Sequence, residues 1–290
     1  MGIEYGERRS TFIDYGRLSL FLDFARRKSL IDSMSETNLI TFTRSSTGTY
    51  VGADGLIKTA AADEARFDHD PETGESLGLL IEEQRTNLIT YSEDFSLWGI
   101  PRNSTINLNS IISPDGVNNS QTFTRNNTSS SNYIGTTISK PSSTNLTYTF
   151  TIFAKKSGDG RYFSIRLQGY YPSRADAVFD FDTGNWSISP QSISNFSNTT
   201  GTIVSLKDGW YKISVTTLTD TYSSIACLIS TSDISTSRID GTSNNVQSVY
   251  VWCSIRTSIF PNLLHPHQWF YSNQTTRQRK YHRNKLHRFL

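Results

Sequence analysis

The residues best able to do chemistry in this chain are carboxylates in short-spaced groups. Asp68, Asp70, Glu72 and Glu75 bracket His69, the one histidine before residue 265. Hard cations take oxygen ligands from Asp and Glu at such spacings, so Asp68, Asp70 and Glu72 are a candidate calcium loop. The same carboxylates could also act as a general acid and base. EF-hand spacing is absent, and the expected arrangement is a solvated turn in which Asp70 caps the backbone before Pro71. Glu82-Glu83 and Glu93-Asp94 are further carboxylate pairs. A glycosidase needs two carboxyls about 5 to 9 Å apart across a sugar, and adjacency in sequence does not establish that. Without His69, no Ser-His-Asp or Cys-His set can be assembled before residue 253, and Gly158-Asp159-Gly160 is too short for a phosphate loop. The expectation is a protein that is not an enzyme and holds no cofactor, with calcium as the one exception to test.

Aromatic residues are the better lead. Flat rings can stack on the C–H faces of pyranoses while neighbouring polar side chains hold the hydroxyls. Tyr162, Tyr170, Tyr171, Trp186 and Tyr222 fall at strand ends or in loops, close to Arg161, Arg166, Gln168, Asp182 and Asn185. From these, Tyr170, Tyr171 and Trp186, with Arg166 and Asn185, form the candidate ligand face. Phe150, Phe153, Phe163, Phe179, Trp210 and Trp252 alternate within strands and are expected in the core.

The elements that must position these rings are β-strands. Ser and Thr fill 75 of 290 positions while charged residues make up 19%, which argues against charge-driven disorder and against a helical bundle. No run approaches the roughly 18 apolar residues that cross a bilayer, and no secretory signal pattern opens the sequence. Strands are predicted at Leu18–Phe24, from Ile40 through Arg44, at Thr49–Val51, Leu56–Thr59, Ala65–His69 and Gly78–Glu82. Beyond Trp98 they follow at Gln121–Arg125, Tyr133–Ser139, Thr147–Lys155, Tyr162–Gly169, Asp176–Asp182, Thr202–Leu206, Trp210–Thr217, Ser224–Ser230 and Gln247–Trp252. The turns Ala53-Asp54-Gly55, Asp70 to Gly74, Asp182 to Asn185 and Lys207-Asp208-Gly209 separate them. Short strands at this spacing without helical periods predict an all-β protein, a jelly-roll β-sandwich preceded by a small β-rich module. The divisions are an N-terminal segment (1–34), the small module with its linker (35–98), the sandwich (99–252) and a basic tail (253–290). Phe95, Leu97 and Trp98 make the joint between module and sandwich apolar, which favours docking over a flexible tether. Cys227 and Cys253 are the only cysteines, so there is no disulfide framework; two free thiols or a single bridge remain open.

The stretch from Ile40 to Trp98, with ITFTRSSTGTY and then GLIKTAAADEARFDHDPETGESLGLLIEEQRTNLITYSEDFSLW, resembles a module of structural proteins of tailed bacteriophages. These are tail-fibre, head-fibre and spike-like adhesins in which the module precedes a jelly roll similar to a carbohydrate-binding module. YTFTIFAKKSGDGRYFSIRL, FDFDTGNW, DGWYKISVT and VYVW fit the second part of that pattern. The resemblance implies a virion component made in the bacterial cytoplasm. Its implied partners are host-surface glycan, other virion proteins and further copies of itself, commonly as a trimer, with no nucleic-acid partner and no membrane insertion. The alternative is an accessory glycan-binding module of a polysaccharide-degrading enzyme or depolymerase, with catalysis from the acids near residues 68 to 94.

The tail breaks the pattern. Residues 253–290 hold seven Lys or Arg, four of the five histidines and no acid, whereas the first 252 residues carry 21 basic and 26 acidic side chains. The pI of 8.4 is thus a property of the tail and does not make the whole chain a nucleic-acid binder. In the resembling family the strand ending V-Y-V-W runs on to F-P-T-S-Y-I-P-T. Back-translating the tail and moving one base forward permits that text, and Trp269-Phe270 forces the Gly that the pattern contains. The resemblance therefore implies a shifted reading frame after Trp252. The last strand is then expected to end there, with an irregular tail beyond it.

Overall fold

The structure, a computed structural model, describes residues 22–82, 87–99, 101–126, 130–140, 144–158, 160–189, 195–237, 239 and 246–259, with backbone alone over 253–259. Four short strands come first: β1 (Gly48–Val51), β2 (Ile57–Ala60), β3 (Phe67–His69) and β4 (Ser76–Leu79). They form two antiparallel hairpins, β1–β2 and β3–β4. Val51 N–H donates to the Asp68 carboxylate at 2.7 Å, and the His69 ring lies 3.0 Å from the Val51 carbonyl, which ties one hairpin to the other.

Eleven strands follow: β5 (Ser104–Asn107), β6 (Gln121–Arg125), β7 (Ile134–Ser139), β8 (Thr147–Lys156), β9 (Tyr162–Gln168), β10 (Arg174–Asp180), β11 (Asn185–Ile188), β12 (Ser197–Ser205), β13 (Trp210–Leu218), β14 (Ser224–Ser232) and β15 (Gln247–Ile259). They build a five-stranded sheet in the order β11-β10-β9-β14-β7 and a six-stranded sheet in the order β12-β13-β8-β15-β6-β5, antiparallel throughout. The protein is an all-β sandwich, as its alternation predicts.

Period-two alternation sends Phe163, Ile165 and Leu167 of β9, and Ile225, Cys227 and Ile229 of β14, toward Tyr148, Phe150 and Ile152 of β8 and Ile213 and Val215 of β13. All of them are buried in one core. Phe95 and Trp98 of the joint are built into this core. Their rings lie 4.5 Å apart, and Trp98 is 6.2 Å from Phe150. Leu97 is exposed.

The six aromatic residues expected in the core are all buried, but in two places. Phe150, Phe163 and Phe179 lie between the sheets, whereas Phe153, Trp210 and Trp252 form a second cluster with Leu206 on the outer face of the six-stranded sheet. Ile57 of the first hairpin packs on that second cluster, and its N–H donates to the Pro114 carbonyl at 2.9 Å. The small module therefore covers apolar surface that the sandwich would otherwise present to water.

Several predicted strands are corrected. Residues 18–21 lie outside the described residues, and Phe24 opens a helical turn, α1 (Phe24–Arg27), because the Asp23 side chain caps Arg26 N–H and Lys28 ends the turn in the left-handed region. Ile40 to Arg44 is irregular: Asn38 and Asp63 side chains accept the N–H groups of Ile40 and Arg44 that a ladder would need. The strand at Gly78–Glu82 starts earlier, as Ser76–Leu79. β5 and β11, edge strands of four residues each, are absent from the sequence reading. β15 does not stop at Trp252. After a bulge at Cys253 its backbone pairs with β8 from Ser254↔Ile152 to Ile259↔Thr147. Without this continuation the Thr147–Ile152 stretch of β8 would lack a partner on that side, and its N–H and C=O groups need one whatever the side chains. The expected irregular tail thus begins no earlier than residue 260, and 260–290 lie outside the described residues.

Trp98→Ala should cost about 3–5 kcal/mol, as expected for emptying a buried Trp site, and chemical denaturation followed by far-UV circular dichroism measures it.

Candidate functional site

Tyr170 and Tyr171 sit in the loop between β9 and β10, each 66% exposed, and Tyr222 sits in the loop before β14 at 43%. The Tyr170 and Tyr222 rings meet edge to face at 5.4 Å, and the Arg174 guanidinium lies 5.7 Å from the Tyr171 ring centre. One carboxylate holds both loops. Asp220 accepts the N–H of Tyr170 at 3.1 Å through one oxygen and that of Tyr222 at 3.2 Å through the other. Its approach requires glycine at 169, where a Cβ would stand 2.2 Å from an Asp220 oxygen. The Lys140 ammonium donates to the carbonyls of Thr144 (2.8 Å) and Asp220, fastening the same corner from below. Asp220 and Lys140 were not singled out in the sequence. No pattern in the sequence marks either residue, because Asp220 meets Tyr170 only through the fold.

Trp186 and Asn185 are not brought to these tyrosines. They lie at the far end of β10, where Phe179↔Trp186 and Asp180↔Asn185 are paired, whereas Tyr171 precedes Arg174 at the near end. Six residues of strand separate the two ends by about 20 Å. The Trp186 ring turns inward, half-buried against the core, and stacks on the backbone of Gly201 in the opposite sheet, where a Cβ would meet it at 2.4 Å. Asn185 is exposed.

Arg166 is 1% exposed and makes a bidentate pair with Asp176 at 2.5 and 2.7 Å. It points away from the inter-sheet core, opposite in parity to Ile165 and Leu167. That outward face is itself covered: Ser189, beside Asp176, and Ser237 are buried and hydrogen-bonded at 3.1 Å. The five predicted residues therefore occupy three places and form no single surface.

The acidic residues are engaged separately. Asp68 is buried against Val51, and Asp70 caps its turn, accepting the N–H groups of Glu72 at 2.9 Å and Thr73 at 2.8 Å, as the sequence predicted. Burial would raise the Asp70 carboxyl, but these backbone donors outweigh it and hold it below the usual carboxylate range. Glu72 is exposed. Glu82 pairs with Arg66 at 2.7 Å, Asp94 caps Ser96, and Glu83 lies outside the described residues. Among the described residues no three His, Cys, Asp or Glu converge as a metal site.

No family model and no curated protein matches the chain. Among solved structures it is similar to the enzymatically active domain of tailspike protein 4 of bacteriophage CBA120 (11% identity, TM-score 0.35, 60% of this chain and 21% of that one). It is also similar to the CBM22-1–GH10 modules of Clostridium thermocellum xylanase 10B complexed with xylohexaose (13%, 0.35, 64% and 30%). A third is a protein described as sugar-binding from Bacteroides thetaiotaomicron (11%, 0.30, 54% and 83%). The chain spans less than a third of the length of the first two.

Two predictions follow from the placement of charges. Asp176→Ala leaves the Arg166 guanidinium buried without its carboxylate and should cost about 3–5 kcal/mol, whereas the double change Arg166→Met/Asp176→Leu should cost much less; urea titration of both variants checks this. At the other end of β10, a side-chain hydrogen bond from Arg161 lowers the Asp180 carboxyl from 3.8 to about 2 against the opposing effect of burial. A depressed carboxylate stabilises the fold above its ordinary value, and that stability is lost as pH falls through the folded value. The melting temperature of Asp180→Asn should therefore lie below wild type above pH 3.8, with the gap closing toward about pH 2.

Proposed function

We propose that this chain is a non-enzymatic subunit of a phage virion appendage, of tail-fibre, head-fibre or spike type, and that its sandwich binds host-surface glycan through Tyr170, Tyr171 and Tyr222. The observation that carries the glycan reading is the exposed tyrosine group itself. Three rings stand in solvent on two loops whose backbone is held by a buried carboxylate, so less loop ordering remains to be done on binding. Exposed aromatic faces beside a guanidinium and backbone amides suit a ligand with apolar C–H faces and a hydroxyl rim. The virion assignment, with other virion proteins and further copies of this chain as partners, is supported by the text from Ile40 to Trp98.

A glycan array probed with the full chain tests this. Tyr170→Ala and Tyr171→Ala should each weaken the strongest signal by about 1–3 kcal/mol, by analogy with base–aromatic stacking, with no change in melting temperature. Unaltered binding by both variants sinks the site, and turnover of a bound polysaccharide that disappears in Asp68→Ala or Glu82→Ala sinks the non-enzymatic reading.

A further inference from the structure

At the end of the sandwich away from the tyrosines, the turn of the first hairpin meets the loop before β6 and the turn before β13. Together they enclose a cleft of about 670 Å³, within the size range of small-molecule sites. Trp210↔Lys155 marks this end of the β13–β8 ladder and Leu218↔Thr147 marks the other. The eight residue steps from Trp210 to Leu218 place the cleft about 26 Å from the tyrosine corner.

The cleft walls are apolar: Leu56, Ile111 and Leu206 line it, over a Trp210 whose ring N–H is spent on the Ile112 carbonyl at 3.2 Å. Two lysines reach it. Lys207 is occupied, donating to the Asp54 carbonyl at 3.0 Å and latching the hairpin to the sandwich, while Asp54 itself is neutralised by Lys58 at 2.8 Å. Lys155 is half-buried in the lining, and its ammonium has no partner among the described residues. The Asp208 carboxylate and the Asn118 amide, both in the lining, also have none.

We propose that this cleft is a second binding site, one that takes an acidic sugar, a uronate unit of a polysaccharide. Two lysines against one aspartate leave the lining net positive, so the ligand should be an anion. A half-buried ammonium with no counter-ion among the described residues gains most from a carboxylate. At the cleft's exposed rim the Asp208 carboxylate and the Asn118 amide supply the acceptors and donors that neighbouring sugar hydroxyls need. The apolar walls suit the C–H faces of a pyranose and do not suit a small, densely charged phosphate. A nucleotide base finds no ring to stack on, because Trp210 is 2% exposed. The site stands independently of the tyrosine corner.

Isothermal titration of the full chain with α-1,4-trigalacturonate, β-1,4-trimannuronate and methyl-esterified trigalacturonate tests the proposal. A uronate trisaccharide should bind, with its affinity falling as salt rises. Esterification should weaken binding about tenfold, the loss of one favourable charge contact. Lys155→Met should reproduce that loss with an unchanged melting temperature, since the ammonium holds none of the described residues in place. Absence of binding by both acidic trisaccharides, equal binding of the ester, or wild-type affinity in Lys155→Met overturns it. The ester comparison needs no variant and decides the matter even if Lys155→Met folds poorly.

Discussion

The structure depends on a constraint that a simple two-layer sandwich does not face: its central strands are buried on both sides. β8, β9, β10 and β14 present apolar side chains to the inter-sheet core, and most of their outward side chains are covered too. A polar group on such a face must find a partner inside the protein, since burial without one costs more than most single contacts return. On the outer side of the six-stranded sheet the hydroxyls pair across strands. Thr149 meets Thr216, Thr151 meets Ser214 and Thr124 meets Ser248, each at 2.8 Å. On the outer side of the five-stranded sheet the solution is ionic, Arg166 with Asp176. The 75 hydroxyl residues are therefore more than loop filler, because a β-branched Thr satisfies strand propensity and cross-strand pairing at once.

The same constraint explains where ligand-competent chemistry is left. The sheet faces are closed, so exposed aromatic and charged groups collect at the two ends, where strands turn. At one end a single carboxylate, Asp220, ties the loop after β9 to the loop before β14, which are neighbours because β9 and β14 are paired from Tyr162↔Ser232 to Gln168↔Ala226. At the other end the apolar cluster of Phe153, Trp210 and Trp252 would lie open on the outer face, and the first hairpin docks there. The cleft beside Lys155 is a by-product of that docking: a hairpin turn laid across two sandwich loops cannot fill the space between them.

Much of this was legible in the sequence, for identifiable reasons. Long strands such as Thr147–Lys156 and Trp210–Leu218 announce themselves by alternation, and the tight turns by Asp-Gly pairs. Tyr170 and Tyr171 were legible as loop residues because Gly169 and Pro172 enclose them. Trp186 was not, since a four-residue edge strand gives too few alternations to show that its ring shares the inward face of Phe179. Arg166 was misjudged because an arginine flanked by apolar residues reads as the solvent side of a strand, and only the fold reveals that this side is covered. Asp220 carries no signature at all. Its role comes from spatial proximity to Tyr170, fifty residues earlier in the chain.

The two ends also differ in how they are held, and this bears on what each could do. The tyrosine corner is internal to the sandwich, with donors, acceptor and supporting lysine all within paired strands and their loops. The cleft has one wall supplied by the hairpin, held by Lys207 to Asp54, by Ile57 N–H to Pro114 and by the packing of Ile57. A ligand there touches both parts and must stabilise their association by its own binding free energy. Occupying the tyrosine corner has no such effect, since both of its loops already belong to one sheet. The two ends of the sandwich are therefore held differently, an asymmetry that arises because the small module packs on only one of the two outer faces.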